Sequence, residues 1–262
     1  MNSPTSSLSR PGLFITGTDT GIGKTVVACA IAADLRRQGL RVGVCKPIAT
    51  GCRRDREGLV SEDAEALAHF SDCRLPLAVI NPVRYHAPLA PAAAAERETP
   101  EGRLPEIDVS LHRIDAVSDV VIVEGVGGIL VPIDEHRTVL DLMCRIGYPV
   151  VVVTHARLGT LNHTAMTCRL VRDAGLRLAG LVINGYRPDS PDLAEATNPQ
   201  WLAKQNGTTI LATVPDVPGV VPQRGSMREE VLDAIAATDW RDACKPPAEA
   251  DSKHRDLKNR TV

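Results

Sequence analysis

The sequence predicts an α/β fold, a parallel β-sheet covered by helices on both faces, and two observations carry that prediction. Short runs that are apolar at every position recur along the chain, such as Leu13-Phe14-Ile15, Val120-Val121-Ile122-Val123 and Val150 to Val153. A strand with one wet face would alternate, so these read as strands buried on both sides. Segments with helical spacing of apolar residues alternate with them, the pattern of strand–helix–strand crossovers.

Composition narrows the class of function. The chain has 262 residues, of which 44% are apolar, enough for one large core. A formal net charge of −2 offers no electrostatic case for nucleic acid or an anionic membrane. No apolar run is long enough to span a bilayer, and Met1 to Pro11 lacks an apolar signal core. Seven cysteines without a CxxC pair read as reduced thiols of a cytoplasmic protein. The expected organisation is a flexible leader over 1–11, one domain over 12–243 and a charged, disordered tail over 244–262.

The first strand, Leu13 to Thr16, runs into Gly17-Thr18-Asp19-Thr20-Gly21-Ile22-Gly23-Lys24-Thr25, and Val26 to Arg37 reads as a helix. A Gly-rich turn between strand and helix aims backbone N–H groups and a helix dipole at one point, a cradle for phosphate. Lys24 reaches terminal phosphates and the Thr25 hydroxyl is placed for Mg²⁺. Gly17 and Gly23 enclose five residues where a regular loop has four. The bland alternative, a Gly-rich turn that happens to precede a lysine, does not explain the flanking strand and helix. The expected fold is therefore P-loop NTPase-like.

Val42 to Cys45 is the second strand, and Pro47 stops it, leaving Lys46 at its carboxyl end. Arg53 to Gly58 reads as a polar loop. Ser61 caps a helix running to about Phe70, with Glu62 and Asp63 in its first turn. Leu75 to Pro105, rich in Pro and Ala, reads as loop plus short helix over the active edge. Helical spacing over 109–117 leads into the strand Val120–Val123, followed by Glu124-Gly125-Val126-Gly127-Gly128. A helix over 139–146, the strand 150–153, a helix opened by Gly159-Thr160-Leu161-Asn162 and a strand 178–183 ending at Asn184-Gly185 follow. A helix over 191–206, a strand 209–214 and a last helix over 227–237 complete the chain.

Five features thus fall on one edge of the sheet: the phosphate loop, Lys46, Glu124, the Gly159–Asn162 turn and Asn184. In such sheets ligands gather at the carboxyl ends of the strands. Two lysines near one triphosphate point to phosphoryl transfer, whose transition state is stabilised by cations and positioning. Glu124 and Asp63 would join Thr25 as Mg²⁺ partners. For Asp63, an acid favoured by the helix dipole is an equal reading.

These motifs, in this order, resemble those of dethiobiotin synthetases over roughly residues 12–220, the lengthened phosphate loop being the most specific. The resemblance implies an ATP- and Mg²⁺-dependent cyclo-ligase of biotin synthesis that joins CO₂ to 7,8-diaminononanoate and closes the ureido ring. It implies Lys24 and Lys46 as the catalytic cations and Asp19, Thr20, Gly21, Ile22, Gly23, Lys24, Thr25, Glu124, Gly127 and Asn184 as the ATP site, Asn184 at the adenine. It further implies Thr50, Leu161 and Asn162 at the substrate, Thr25, Asp63 and Glu124 at the metal, and a homodimer that shares its sites. Gly21 stands where the family often has Glu, Val126 replaces a frequent Ala, and the stretch near residues 88–95 lacks a His common there.

The strongest rival is a partitioning or septum-positioning ATPase, a switch of similar sheet and loop. Those loops carry a Lys near their start, where this chain has Thr18-Asp19-Thr20, and such proteins tend to end in a basic amphipathic helix. The polar side of 227–238 here is mostly acidic (Glu229, Glu230, Asp233), poorly suited to lipid. Cobyrinic and cobyric acid amidases have a similar loop but need a glutamine-hydrolysing domain, and nothing here offers a cysteine nucleophile within a second domain of that size.

Overall fold

The computed structural model describes residues 8–56 and 58–246. Its centre is a six-stranded, all-parallel sheet built from β1 (Gly12–Gly17), β2 (Val42–Cys45) and, after a long excursion, four later strands. Between β1 and β2 lies α1 (Lys24–Arg37), buried at ten of its fourteen positions because the sheet covers one side and other helices the rest. Its run of Ala and Cys lets those layers approach closely.

The excursion after β2 holds β3 (Ile48–Ala49), β4 (Arg53–Asp55), β5 (Gly58–Val60), α2 (Glu62–Ser71), α3 (Leu77–Ile80), β6 (Val83–Arg84), α4 (Pro91–Ala95) and α5 (Glu106–Val117). Two of these correct the sequence reading. The polar stretch from Arg53 is an antiparallel hairpin, Arg53 paired with Val60 and Arg54 with Leu59. The Pro- and Ala-rich stretch contains α3, β6 and α4, with β6 pairing parallel to β3. Neither short ladder has the apolar period that announces a strand. Ser61 caps α2 as expected, its hydroxyl accepting from the Ala64 N–H at 3.3 Å.

The remaining elements are β7 (Val120–Glu124), α6 (Val139–Ile146), β8 (Val150–Thr154), α7 (Thr160–Asp173), β9 (Leu178–Tyr186), α8 (Leu193–Asn206), β10 (Ile210–Pro215), a 3₁₀ turn (Pro222–Arg224), α9 (Glu229–Ala236) and α10 (Trp240–Ala243). Across the sheet the order is β10-β9-β8-β1-β7-β2. The chain moves outward from β1 to β2, returns to fill the gap with β7, then crosses to β8 on the other side of β1. That reversal opens a crevice at the carboxyl ends of the central strands. The sheet divides two apolar layers, one around α1, α2 and α9, the other around α5, α6 and α7.

Several element ends differ from expectation. The helix expected from 109 starts at Glu106, β9 continues through Asn184 to Tyr186, the helix expected from 191 starts at Leu193, and α10 follows what was read as the last helix. The domain also reaches past its expected limits. The Ser9 and Arg10 N–H groups and the Ser9 hydroxyl all bind the Asp115 carboxylate, at 2.6–3.1 Å. At the other end Cys244 is 1% exposed and Arg177 donates to the Ala243 and Lys245 carbonyls. Residues 1–7 and 247–262, the rest of the expected leader and tail, lie outside the described residues.

Candidate active site at the carboxyl edge of the sheet

The phosphate loop is shaped by glycines where side chains would not fit. Gly23 takes φ +93°, and a Cβ there would lie 2.0 Å from Asn184 Nδ2. Asn184 in turn donates to the Ile22 carbonyl at 3.1 Å, and its own carbonyl meets His155 Nδ1 at 2.7 Å. No side chain caps the start of α1. Its first N–H groups therefore face the loop's concavity, as an anion site requires. The Asp19 carboxylate accepts from the Thr20 N–H at 2.7 Å, and Lys24 Nζ donates to the Asp19 carbonyl at 2.9 Å. Gly21, at φ +71°, has open space where a side chain would be.

A charged cluster sits beside the loop. Lys46 Nζ lies 2.6 Å from Glu124 and 2.9 Å from Asp63, and all but 4% of the residue is buried. The Thr25 hydroxyl bridges the same two carboxylates, 2.9 Å from Glu124 Oε1 and 3.0 Å from Asp63 Oδ1. Three elements from distant parts of the sequence thus converge: β2 brings Lys46, β7 brings Glu124, and α2 brings Asp63. Gln223, from the 3₁₀ turn, donates to Asp63 Oδ1 at 2.9 Å. Sequence reasoning missed it, because nothing in the spacing of Pro222–Arg224 signals a loop that returns over α1.

The electrostatics follow from burial and these contacts. Burial and the nearby Lys46 charge lower Lys24 to about 8. For Lys46, burial alone would favour the neutral amine, but Glu124 and Asp63 reverse that and hold it charged. Burial likewise opposes ionisation of Asp63, yet the Lys46 charge and hydrogen bonds from Lys46, Gln223 and Thr25 bring it to about 2. Burial pushes Glu124 above the usual carboxylate range, with Lys46 opposing.

The oxygen set suits a hard divalent cation. Glu124 Oε2 is buried with no hydrogen-bond partner, an orphan that a cation would satisfy. No group of three or more His, Cys, Asp or Glu among the described residues forms a cage by itself. Two carboxylates and a hydroxyl completed by phosphate oxygens and water is the usual Mg²⁺ arrangement.

The other sequence-predicted residues divide. Gly127, at φ +58°, lies where a Cβ would be 3.5 Å from Thr20 Oγ1, so the Glu124–Gly128 turn packs against the phosphate loop. Thr50 follows β3 and is half-buried, and the adjacent Gly51 N–H donates to the Ala87 carbonyl at 3.1 Å. Leu161 and Asn162 lie in the first turn of α7, Asn162 exposed, and no side chain caps that helix. A cleft of about 660 Å³ runs between the phosphate loop, the Gly128–Pro132 segment and α7, lined there by His163, Met166 and Leu170. Asn162 is not among its lining residues, although its neighbour His163 is. Asn184 sits against the loop at Ile22 and Gly23.

A family profile described as an AAA domain matches residues 11–224. The chain is 40% identical over 216 residues to an ATP-dependent dethiobiotin synthetase of Anaeromyxobacter sp. (strain K), covering 82% of this chain and 95% of that protein. It is 34% identical over 236 residues to the enzyme of that name from Thermodesulfovibrio yellowstonii, covering 87% and 95%. For the Bacillus subtilis (strain 168) enzyme the identity is 37% over 212 residues, covering 81% and 90%. Among solved structures, the MinC:MinD cell division complex of Aquifex aeolicus aligns with a TM-score of 0.56 at 12% identity, covering 91% of this chain and 98% of that one. A ParA family ATPase of Chlorobium tepidum aligns with a TM-score of 0.51 at 16% identity, covering 89% and 98%. Those two likenesses are of fold alone.

Proposed function

Because the chain belongs to the dethiobiotin synthetase family, an ATP-dependent ligase family that forms carbon–nitrogen bonds, we propose that it closes a cyclic urea on 7,8-diaminononanoate with CO₂. One amine adds to CO₂ and loses a proton, giving a carbamate. A carbamate oxygen takes the γ-phosphoryl group of ATP, releasing ADP. The second amine then attacks the carbonyl carbon, phosphate leaves with its electron pair, and loss of a proton leaves the ureido ring of dethiobiotin.

The observation that carries this reading is the buried Lys46, held charged beside Glu124, Asp63 and Thr25 at the mouth of a phosphate loop. Lys24 and Lys46 supply fixed positive charge where the transferring phosphoryl group spreads its negative charge. The N–H groups of the loop and of α1 hold the remaining phosphates, and Asn184 keeps the loop in shape and borders the adenine. Thr25, Asp63 and Glu124 would hold Mg²⁺. When bound, that ion neutralises phosphate charge. Thr50 supports the diamine end of the substrate.

The uncapped start of α7 suits the substrate's carboxylate. We assign Leu161 and Asn162 to that contact, made across a homodimer to the neighbouring subunit's phosphate loop. Leu130, 57% exposed, and Met166, 51% exposed, line the same cleft and supply apolar surface for such an interface. Seven cysteines without a disulfide fit a reducing cytoplasm.

The deciding experiment measures phosphate release with Mg²⁺, ATP, bicarbonate and 7,8-diaminononanoate. ADP, phosphate and a cyclic urea should appear in step, and omitting either the diamine or CO₂ should reduce phosphate release to a trickle. Hydrolysis at full rate without the diamine would instead favour a switch ATPase and remove the ligase reading.

A further inference from the structure

Lys46 stands where the sheet stops supporting the chain. β2 ends at Cys45, and Pro47 has no N–H to give to any ladder. The support comes instead from the last residue of α3 and the segment that follows it. The Lys46 N–H donates to the Ile80 carbonyl at 2.8 Å, and its carbonyl accepts from Asn81 Nδ2 at 2.6 Å. The same amide nitrogen reaches the Val83 carbonyl at 3.2 Å.

Asn81 is 1% exposed and fixed through its own backbone, its N–H donating to Leu77 at 2.7 Å and its carbonyl accepting from Arg84 Nη1 at 2.6 Å. The Asn81 Oδ1 is buried with no partner. Leaving an acceptor idle is costly, so the residue's use lies on its donor side. Two N–H bonds at this reach require asparagine: Asp offers no donor, Ser has one, and Gln is a methylene too long.

We propose that Asn81 is the positioning residue for Lys46, pinning its carbonyl so that Nζ is aimed between Glu124 and Asp63 at the transferring phosphoryl group. The inference rests on the reading of Lys46 given above. Asn81 touches no reacting atom and acts only through the lysine backbone. Phosphoryl transfer depends on placement, and a shift of about 1 Å can cost on the order of 10²-fold in rate.

The test is a double-mutant cycle on the full chain with Asn81→Ala, Lys46→Ala and the pair, reading kcat, the KM for ATP and the thermal midpoint. Asn81→Ala should lower kcat about 10- to 100-fold, with the KM for ATP within about twofold. In the Lys46→Ala background the same change should cost less than about twofold, because residues acting as a unit are not additive. Asn81→Ser puts its single donor one atom short of the Lys46 carbonyl, so it should lose nearly as much rate, and it replaces Asn81→Ala in the cycle if that variant does not fold. Asn206→Ala is the control. It removes a 5%-exposed amide that donates to the Leu202 carbonyl at 2.8 Å, and should lower the thermal midpoint with kcat intact. An unchanged kcat for Asn81→Ala and Asn81→Ser, or an equal loss with and without Lys46, would overturn the positioning role alone. A near-normal rate for Lys46→Ala would overturn the reading of Lys46, and with it this inference.

Discussion

Lys24 and Lys46 are both buried cations, yet their surroundings set them apart. Two carboxylates within 3 Å hold Lys46 charged, whereas burial and the like charge of Lys46 lower Lys24, whose Nζ donates to a backbone carbonyl, to about 8. Phosphate selects the charged form. Affinity for a non-hydrolysable ATP analogue should therefore fall as pH rises above about 8, by at most tenfold per unit. Stability of the nucleotide-free chain should move the other way. The unfolded lysine keeps its proton up to about 10.5, so between 8 and 10.5 this group makes unfolding less favourable as pH rises. An affinity constant to pH 9.5 by calorimetry would show that Lys24 does not bind the phosphates. Lys24→Ala should reduce turnover by roughly 10²- to 10³-fold with the fold intact.

At the scale of elements, the contrast between two glycines of one loop makes a sharper test than either alone. Both have positive φ, but a Cβ at Gly23 would collide with Asn184, whereas one at Gly21 meets nothing. Gly23→Ala should abolish nucleotide binding. Gly21→Ala should weaken it by no more than the backbone strain, about 1 kcal/mol, and equilibrium titration of the two variants decides the matter. The loop was legible in the sequence because its function is local: strand, glycines, lysine and helix are contiguous. The same holds for the buried strands, since burial on both faces writes itself as unbroken Val and Ile. What could not be read there depends on distant partners. Gln223 reaches Asp63 across 160 positions, Asn81 reaches the backbone of Lys46, and the β4–β5 hairpin is polar at most positions. For Asp63 the sequence offers metal partner and helix-end acid equally, and its place beside Lys46 and Thr25 comes only with the fold.

At the scale of the whole molecule, both ends of the described residues pack on the core, Leu8 at one and Trp240, Ala243 and Cys244 at the other. Trp240 is completely buried and its indole N–H donates to the Ile235 carbonyl at 2.7 Å, which secures the C-terminal turn against α1 and α9. Trp240→Ala should cost about 3–5 kcal/mol, measured by urea unfolding. Ending the chain after Pro246 should leave the urea midpoint unchanged. The shared site proposed above predicts that Asn162→Ala raises the KM for the diamine far more than that for ATP. It also predicts a dimer by sedimentation at micromolar concentration. A fully active monomer would contradict it.

The cysteines provide a clock for opening of the fold. Cys29, Cys45, Cys52, Cys168 and Cys244 are each 2% exposed or less, while Cys144 is at the surface and Cys73 half-covered. Burial also raises the covered thiols, Cys52 and Cys168 to about 11 and Cys244 to about 12, so they present almost no thiolate at neutral pH. A chromogenic disulfide reagent should consume Cys144 and Cys73 promptly and the other five only as the protein breathes. Cys29 lies one turn beyond Thr25 on α1 and Cys45 immediately precedes Lys46, so their slow modification reports the opening of the layers behind the phosphate loop. Saturating nucleotide should retard those two reactions and leave the prompt phase at Cys144 untouched, giving ligand affinity from a colour change without any turnover.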